Sequence, residues 1–199
     1  MRLASFALSA VFAALPALAT AQAPGGAAPA FTLTDTSGRT VQLADYRGKF
    51  VVLEWTNPEC PFVRKHYTSG NMQDLQKQSG ARDVVWLSIN STNLAHPEYK
   101  TPAQMARWLE SQGAAPKAAL IDGESATGRA YGARTTPHMF VIDRAGAVIY
   151  NGAIDDRRTA NPADAKAAKN YVRAALTEAL DGRPVTVAST SPYGCSVKY

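Results

Sequence analysis

The order of apolar segments predicts an α/β protein built on one mixed sheet. Short apolar runs alternate with helix-like segments through the centre of the chain, which is the pattern of parallel strands joined by crossover helices. Strand-like segments separated by Gly-containing turns lie at both ends of this region, so antiparallel strands are expected to extend the sheet. The expected order is hairpin, β, α, β, α, β, α, β, β, α.

The N-terminal part begins with a β-hairpin and a central strand. Residues 31–33 and 40–43 alternate apolar and polar side chains on either side of a Gly-containing turn. Residues 50–55 are apolar on both faces, as in the centre of a sheet. Residues 61–78 have helical spacing, and the Ser-Gly-Asn sequence at 69–71 predicts a break in that helix.

The middle of the chain alternates strands and helices. Residues 84–89 form a second apolar run and predict another buried strand. Thr101 and Pro102 are the residue types that cap a helix and occupy its first position, so a helix is expected to extend to about residue 111. A short strand at 118–121 and a short helix at 124–131 follow.

The C-terminal part ends with two strands, a helix and an arm. Residues 135–143 form an apolar strand with a proline near its start, where proline is tolerated. A Gly-containing turn leads to the returning strand at 148–152. Residues 163–180 carry an apolar stripe at helical spacing. Residues 183–199 have no periodicity and are expected to form an irregular arm that carries Cys195.

The first 21 residues have the pattern of a secretory signal peptide. Arg2 precedes an apolar stretch that ends in small residues before Ala21. An uncleaved membrane anchor is the alternative, but the stretch is short and Pro16 interrupts it. We therefore expect a periplasmic or secreted protein without stable membrane insertion, with a small-residue linker at 22–30.

The remaining length suits one domain, expected at residues 31–182. The formal net charge of the whole chain is +5, and acidic and basic residues are mixed along it. No cluster of lysine and arginine of the kind that binds nucleic acid is present, so nucleic-acid binding is not expected.

Cys60 is the most informative residue of the chain. It follows an apolar strand and precedes a helix, and a helix N-terminus favours the thiolate form of a cysteine. Cys195 is the other cysteine, and three interpretations remain open for the two sulfurs. They are a redox pair within one chain, an intermolecular disulfide, or a structural disulfide that closes a loop of about 135 residues.

Three motifs in this order resemble the thioredoxin superfamily, and more narrowly its redoxin branch of alkyl hydroperoxide reductase and thiol-specific antioxidant type. They are the opening hairpin with Tyr46-Arg47-Gly48-Lys49, the strand Val51-Val52-Leu53-Glu54-Trp55 followed by Cys60, and Thr136-Pro137 before Phe140-Val141-Ile142-Asp143. The resemblance covers about residues 28–182. It implies a three-layer sandwich with a central mixed sheet and an N-terminal β-hairpin, and a thiol-dependent oxidoreductase.

Departures from the family pattern leave the substrate open. Val63 stands where thioredoxin has its second cysteine, which disfavours a local dithiol. Asn57 stands where peroxiredoxins usually have Thr or Ser, and Leu53 stands where they usually have Pro. Pro137, by contrast, resembles the cis-proline of disulfide-exchange enzymes. The sequence therefore does not choose between a peroxide and a protein disulfide.

The resemblance also implies roles for several residues. Cys60 would be the nucleophile, and Glu54, six residues earlier, would be a buried acid–base group. Thr136 and a cis Pro137 would present backbone to an extended peptide or thiol substrate. Arg64, one helical turn from Cys60, is a candidate for stabilising the thiolate.

The expected partners are an external thiol reductant and a peroxide or disulfide substrate, with Cys195 as the resolving thiol and without a cofactor. Two alternatives remain. One is a copper or zinc chaperone that uses Cys60, His66, His138 and Cys195. The other is a non-catalytic domain with a structural disulfide.

Overall fold

The computed structural model of the chain describes residues 23–199, so the predicted signal peptide lies outside the described residues. The strands are Thr32–Asp35 (β1), Thr40–Gln42 (β2), Val51–Trp55 (β3), Val85–Asn90 (β4), Ala118–Ile121 (β5), Thr135–Thr136 (β6), His138–Ile142 (β7), Val148–Gly152 (β8) and Cys195–Ser196 (β9). The α-helices are Pro61–Thr68 (α1), Asn71–Ala81 (α2), Pro102–Ser111 (α3), Ala126–Tyr131 (α4), Asp164–Ala167 (α5) and Tyr171–Leu180 (α6).

A seven-stranded mixed sheet forms the centre of the fold, with the order β2-β1-β5-β4-β3-β7-β8. Strands β3, β4 and β5 are parallel, as expected for strands joined by crossover helices. The hairpin β1–β2 joins β5 in antiparallel orientation, and β7 and β8 extend the other side in the same way. The predicted α/β fold with a central mixed sheet and an N-terminal hairpin is confirmed.

Two apolar cores cover the two faces of the sheet. One core includes buried side chains of α1, α2, α3 and α6, and it contains Cys60. The other core includes Tyr131 of α4 and the buried residues of the hairpin side, Phe31 and Val41. This gives the three layers of the predicted sandwich. Within residues 23–199, no helix is long and apolar enough to cross a membrane.

The register of β3 and β7 positions the candidate site. Trp55, the last residue of β3, pairs with His138, the first residue of β7. The segment that follows β3 leads to Cys60, and the segment that precedes β7 contains Thr136 and Pro137. Both segments therefore lie at the same end of the paired strands β3 and β7.

Two local predictions about helices are confirmed. Helix α1 ends at Thr68 and α2 begins at Asn71, because Gly70 adopts a left-handed conformation with φ of 78°. Thr101 caps α3, where its side chain accepts from the Gln104 amide at 3.2 Å and the Gln104 side chain accepts from the Thr101 amide in return.

The prediction of one helix over 163–180 is wrong. Helices α5 and α6 are separated at 168–170, where the chain turns toward the strand-like segment after β8. Asn170 forms a bridge with Asp155 and caps α6 by accepting from the Arg173 amide at 2.9 Å. These contacts between distant segments replace the helical hydrogen bonds that the local pattern predicts.

The two flanking segments are more ordered than expected. In the predicted linker, the Gly25 amide donates to the Val148 carbonyl at 2.7 Å, and residues 25–28 run alongside the start of β8. In the predicted irregular arm, the Thr190 amide donates to the Asn151 carbonyl at 3.1 Å, and β9 pairs with β6. Tertiary pairing gives both segments a structure that they do not encode locally.

Candidate active site

Cys60 lies at the N-cap of α1, in an extended backbone conformation with φ of −75° and ψ of 119°. Pro61 occupies the first helical position, where its missing N–H costs no helical bond. The preceding turn is closed by the Cys60 amide, which donates to the Asn57 carbonyl at 3.0 Å. Cys60 is 1% exposed, and its thiol donates to the Thr136 carbonyl at 3.0 Å.

Cys195 lies against Cys60. Strand β9 pairs with β6 in a register that sets Cys195 opposite Thr136, the residue whose carbonyl accepts from Cys60. Both cysteines are free thiols, and Cys60 lies close enough to act on the pKa of the Cys195 thiol. The fold therefore brings together two sulfurs that are 135 positions apart in the sequence.

The two thiols have different electrostatic environments. Burial raises the pKa of Cys195 to about 12, and its hydrogen bond to Cys60 and the negative charge of a Cys60 thiolate act in the same direction. Cys195 therefore remains protonated at neutral pH. The N-terminus of α1 favours an anion at the Cys60 position. Cys195 is therefore the sulfur of the pair that keeps its proton.

The Thr136–Pro137 peptide bond is cis, as the resemblance implied. Thr136 is 3% exposed and pairs with Cys195 of the arm, so its expected role in presenting backbone to a substrate stays a prediction. Gly194 makes this approach possible, since a Cβ at that position would lie 2.0 Å from the Thr136 oxygen. The chain's own arm occupies the place beside Pro137.

Glu54 is fully buried in β3, which confirms the expected burial. Its carboxylate accepts from Trp86 Nε1 at 2.8 Å and from the hydroxyls of Ser88 and Tyr67, each at 2.9 Å. Desolvation raises the pKa of Glu54, and these hydrogen bonds oppose the shift in part. The hydrogen bonds that the described residues give Glu54 join it to neither sulfur, so its acid–base role stays a prediction.

The Arg64 side chain contacts the turn that precedes Cys60. Its Nε donates to the Pro58 carbonyl at 2.7 Å, and its terminal nitrogen pairs with Glu59 at 2.8 Å. The side chain is 56% exposed. The guanidinium thus orders the turn before Cys60, and its expected stabilisation of the thiolate stays a prediction.

The four residues of the metal alternative do not assemble. His66 contacts Tyr193 and Asn71 through its two ring nitrogens, at 3.3 and 3.0 Å. His138 contacts the Asn151 side chain at 2.7 Å and accepts from the Arg134 amide at 3.2 Å. Among residues 23–199, no group of three His, Cys, Asp or Glu side chains could hold a metal ion. The structure therefore gives the chaperone alternative no ligand set.

Sequence reasoning missed a buried polar cluster made of Lys65, Asp155 and Tyr193. Lys65 Nζ lies 3.2 Å from Asp155 Oδ2 and 3.1 Å from the Tyr193 hydroxyl. A lysine in a helix is normally exposed, so its residue type gave no signal. The weak signal is its spacing, since Lys65 lies three positions after Phe62, on the same face of α1.

The family described as Redoxin matches residues 23–169 of the chain. The thiol-disulfide oxidoreductase ResA of Geobacillus thermodenitrificans is 30% identical over 130 residues, which is 65% of this chain and 68% of that protein.

Two solved structures are similar over a larger part of the chain. An uncharacterized conserved protein from Geobacillus kaustophilus superimposes with a TM-score of 0.78 at 30% identity, covering 88% of this chain and 92% of that one. A hypothetical protein from Sinorhizobium meliloti superimposes with a TM-score of 0.77 at 23% identity, covering 90% and 96% of the two chains. The second likeness shows a shared fold.

Proposed function

Because the chain belongs to the Redoxin family, we propose that it is a thiol-disulfide oxidoreductase whose redox pair is Cys60 and Cys195. The observation that carries this proposal is that Thr136, beside a cis-proline, pairs with Cys195 and accepts a hydrogen bond from the Cys60 thiol, so the two thiols lie together. The similarity to ResA supports the same reaction class.

The proposed reaction starts with attack of the Cys60 thiolate on one sulfur of a substrate disulfide. The substrate S–S bond breaks, a mixed disulfide forms at Cys60, and the other substrate sulfur leaves as a thiolate. Cys195 then attacks the Cys60 sulfur and releases the second substrate thiol, while the proton of Cys195 passes to a leaving thiolate. Two electrons move from the protein to the substrate, and an external thiol reductant returns them.

Glu54 is the proposed proton-exchanging group of this site. Its pKa is raised by burial, and its hydrogen-bond donors Tyr67 and Trp86 belong to the same apolar core as Cys60. A carboxyl group whose pKa is raised is suited to taking up and returning a proton during exchange.

The position of the arm favours a disulfide carried by an extended peptide as the substrate. Strand β9 already pairs a cysteine-bearing segment with Thr136, next to Pro137. A substrate strand that replaced β9 would bring its own sulfur to the same place opposite Cys60. The proposed compartment is the periplasm or the exterior of the cell, on the basis of the signal-peptide pattern at residues 1–21.

The test combines thiol trapping with mass spectrometry on the reduced protein and on the variants Cys60→Ser and Cys195→Ser. Exposed to a protein disulfide, the wild type should close a Cys60–Cys195 disulfide and release two substrate thiols. Cys195→Ser should stall as a mixed disulfide at Cys60, and Cys60→Ser should be inactive.

The same variants distinguish hydroperoxide reduction. If hydrogen peroxide, and not the protein disulfide, oxidises Cys60, and if Cys195→Ser then accumulates a sulfenic acid, the protein is a peroxidase. Full exchange activity in Cys60→Ser would overturn both versions of the proposal.

A further inference from the structure

Between α1 and the C-terminal arm, a buried polar cluster joins the two segments that carry the cysteines. Lys65 and Asp155 are each 1% exposed, and Tyr193 is 5% exposed. Lys65 belongs to α1, the helix that Cys60 caps, and Tyr193 precedes Cys195 by two positions. The Tyr193 ring also packs edge-on against Phe62, with the ring centroids 5.8 Å apart.

The Tyr193 hydroxyl is the central group of this cluster. It donates to Asp155 Oδ1 and accepts from Lys65 Nζ at 3.1 Å. His66 Nε2 lies 3.3 Å from the same oxygen, and His66 Nδ1 faces the Asn71 side-chain amide at 3.0 Å. If the Asn71 amide donates to Nδ1, then Nε2 carries the proton and donates to Tyr193. In that arrangement, the hydroxyl makes three hydrogen bonds.

We propose that Tyr193 is a positioning residue that holds Cys195 against Cys60 by completing the buried Lys65–Asp155 ion pair. This inference rests on the proposed function, in which the two sulfurs react with each other. A buried ion pair is favourable only when hydrogen bonds satisfy its remaining polar atoms. Release of the arm would remove the hydroxyl from both charges, so the pair favours the docked arm.

The anchors on the other side of Cys195 do not reach α1. The Val197 amide donates to the Arg134 carbonyl at 3.1 Å, and the Tyr199 hydroxyl donates to the Ala133 carbonyl at 2.5 Å. These contacts fix the end of the arm to the segment after α4. Tyr193 is thus the anchor that links the position of Cys195 directly to the helix of Cys60.

The test removes one hydroxyl while keeping the ring, in the variant Tyr193→Phe. Tyr131→Phe is the matched control, because the Tyr131 hydroxyl also donates within the protein, to the Pro29 carbonyl at 2.8 Å, but belongs to the opposite core. The first readout is the alkylation rate of Cys195 by iodoacetamide in a Cys60→Ser background. The second is the equilibrium constant for closure of the Cys60–Cys195 disulfide in glutathione buffers.

Tyr193→Phe should raise the alkylation rate and lower the closure constant, each by about tenfold, which corresponds to the loss of a hydrogen bond to a charged group. Tyr131→Phe should change each by less than about twofold. Equal values in Tyr193→Phe and Tyr131→Phe would overturn the positioning role, while disulfide closure in the wild type would leave the proposed function intact. Faster alkylation in Tyr193→Phe, with no closure in the wild type, would support the positioning role and refute the redox pair.

Discussion

Glu54 and Asp155 are both buried carboxylates that contact α1, but they are satisfied in different ways. Glu54 accepts from the neutral donors Trp86, Ser88 and Tyr67. Asp155 faces the ammonium group of Lys65. The first cluster is built entirely from the central domain, whereas the second is completed by Tyr193 of the arm.

This difference separates a buried carboxylate without a counter-charge from one that faces a cation. Burial without a cation raises the pKa of Glu54, so protonation relieves the desolvation of the carboxylate. Asp155 is compensated by Lys65, and removing either partner alone would leave an uncompensated buried charge. Glu54 is therefore suited to proton exchange, and Asp155 to fixing the arm.

Removal of the Asp155 carboxylate should have the largest effect on stability. Asp155→Ala should lower the free energy of unfolding by about 3–5 kcal/mol, because it leaves the Lys65 ammonium buried without its counter-charge. Urea unfolding measures this loss. Asp156→Ala is the control, since the Asp156 side chain is 37% exposed and accepts from the Lys169 amide. The double variant Lys65→Met/Asp155→Leu should recover most of the loss, and a failure of Asp155→Ala to destabilise would mean that Lys65 does not depend on Asp155 for its counter-charge.

The contrast between the two clusters also explains what the sequence could predict. The burial of Glu54 follows from its place in an apolar strand next to Val52, and the break at Gly70 follows from local residue types. In the cluster of Lys65, Asp155 and Tyr193, the contacts of Lys65 reach residues 90 and 128 positions away. No local periodicity encodes such contacts.

The same reason accounts for the arm. Cys60 and Pro137 were found because each has a recognisable local motif, and the cis bond at Pro137 is present. Strand β9 has two residues, which is too short for an alternating pattern. Its pairing with β6 arises from tertiary docking, so the sequence predicted Cys195 as a partner without predicting where the arm lies.

Gly194→Ala should displace the arm from Thr136 without replacing any residue of the two carboxylate clusters. The added Cβ would lie 2.0 Å from the Thr136 oxygen, at a φ of 137° that disfavours alanine. We expect the Cys60–Cys195 closure constant in glutathione buffers to fall at least about fivefold, because the backbone strain alone is about 1–3 kcal/mol. Gly182→Ala is the control, because Gly182 also has a positive φ, of 73°, but no atom lies within 4 Å of its added Cβ. Equal closure constants in the two variants would show that close packing at Thr136 is unnecessary.

Glu54→Gln should sharpen the distinction through pH dependence. In the folded protein the pKa of Glu54 is raised from 4.5, so the folded state binds the proton more tightly than the unfolded state. The contribution of Glu54 to stability is therefore full below pH 4.5 and is lost as the pH rises through the folded pKa. Between pH 4.5 and the folded pKa, the free energy of unfolding of the wild type, relative to Glu54→Gln, should fall by about 1.4 kcal/mol for each pH unit.

Urea unfolding at a series of pH values measures this difference. Ser88→Ala is a matched control, because it removes one neutral donor to the carboxylate at 2.9 Å and keeps the ionisable group. In Ser88→Ala, the pH-dependent fall in stability caused by Glu54 should remain and should occur at higher pH, because a hydrogen bond that lowers the pKa of Glu54 is lost. A pH-independent difference between the wild type and Glu54→Gln would contradict a raised pKa and remove the basis for the proposed proton exchange.

Arg64→Ala should have the smallest effect, because Arg64 and Lys65 are adjacent cations of α1 in opposite environments. The Arg64–Glu59 pair is exposed on both sides, at 56% and 38%, whereas the Lys65–Asp155 pair is fully buried. An exposed pair contributes between zero and about 1 kcal/mol. The alkylation rate of Cys60 in a Cys195→Ser background should stay within about twofold of the value with Arg64 present, since the guanidinium bonds to the Pro58 carbonyl and not to the sulfur. A tenfold fall would instead support the expectation that the guanidinium charge stabilises the thiolate. Lys65→Met, which removes the neighbouring cation, should by contrast destabilise the fold as strongly as Asp155→Ala, because it leaves the other half of the same buried pair unpaired.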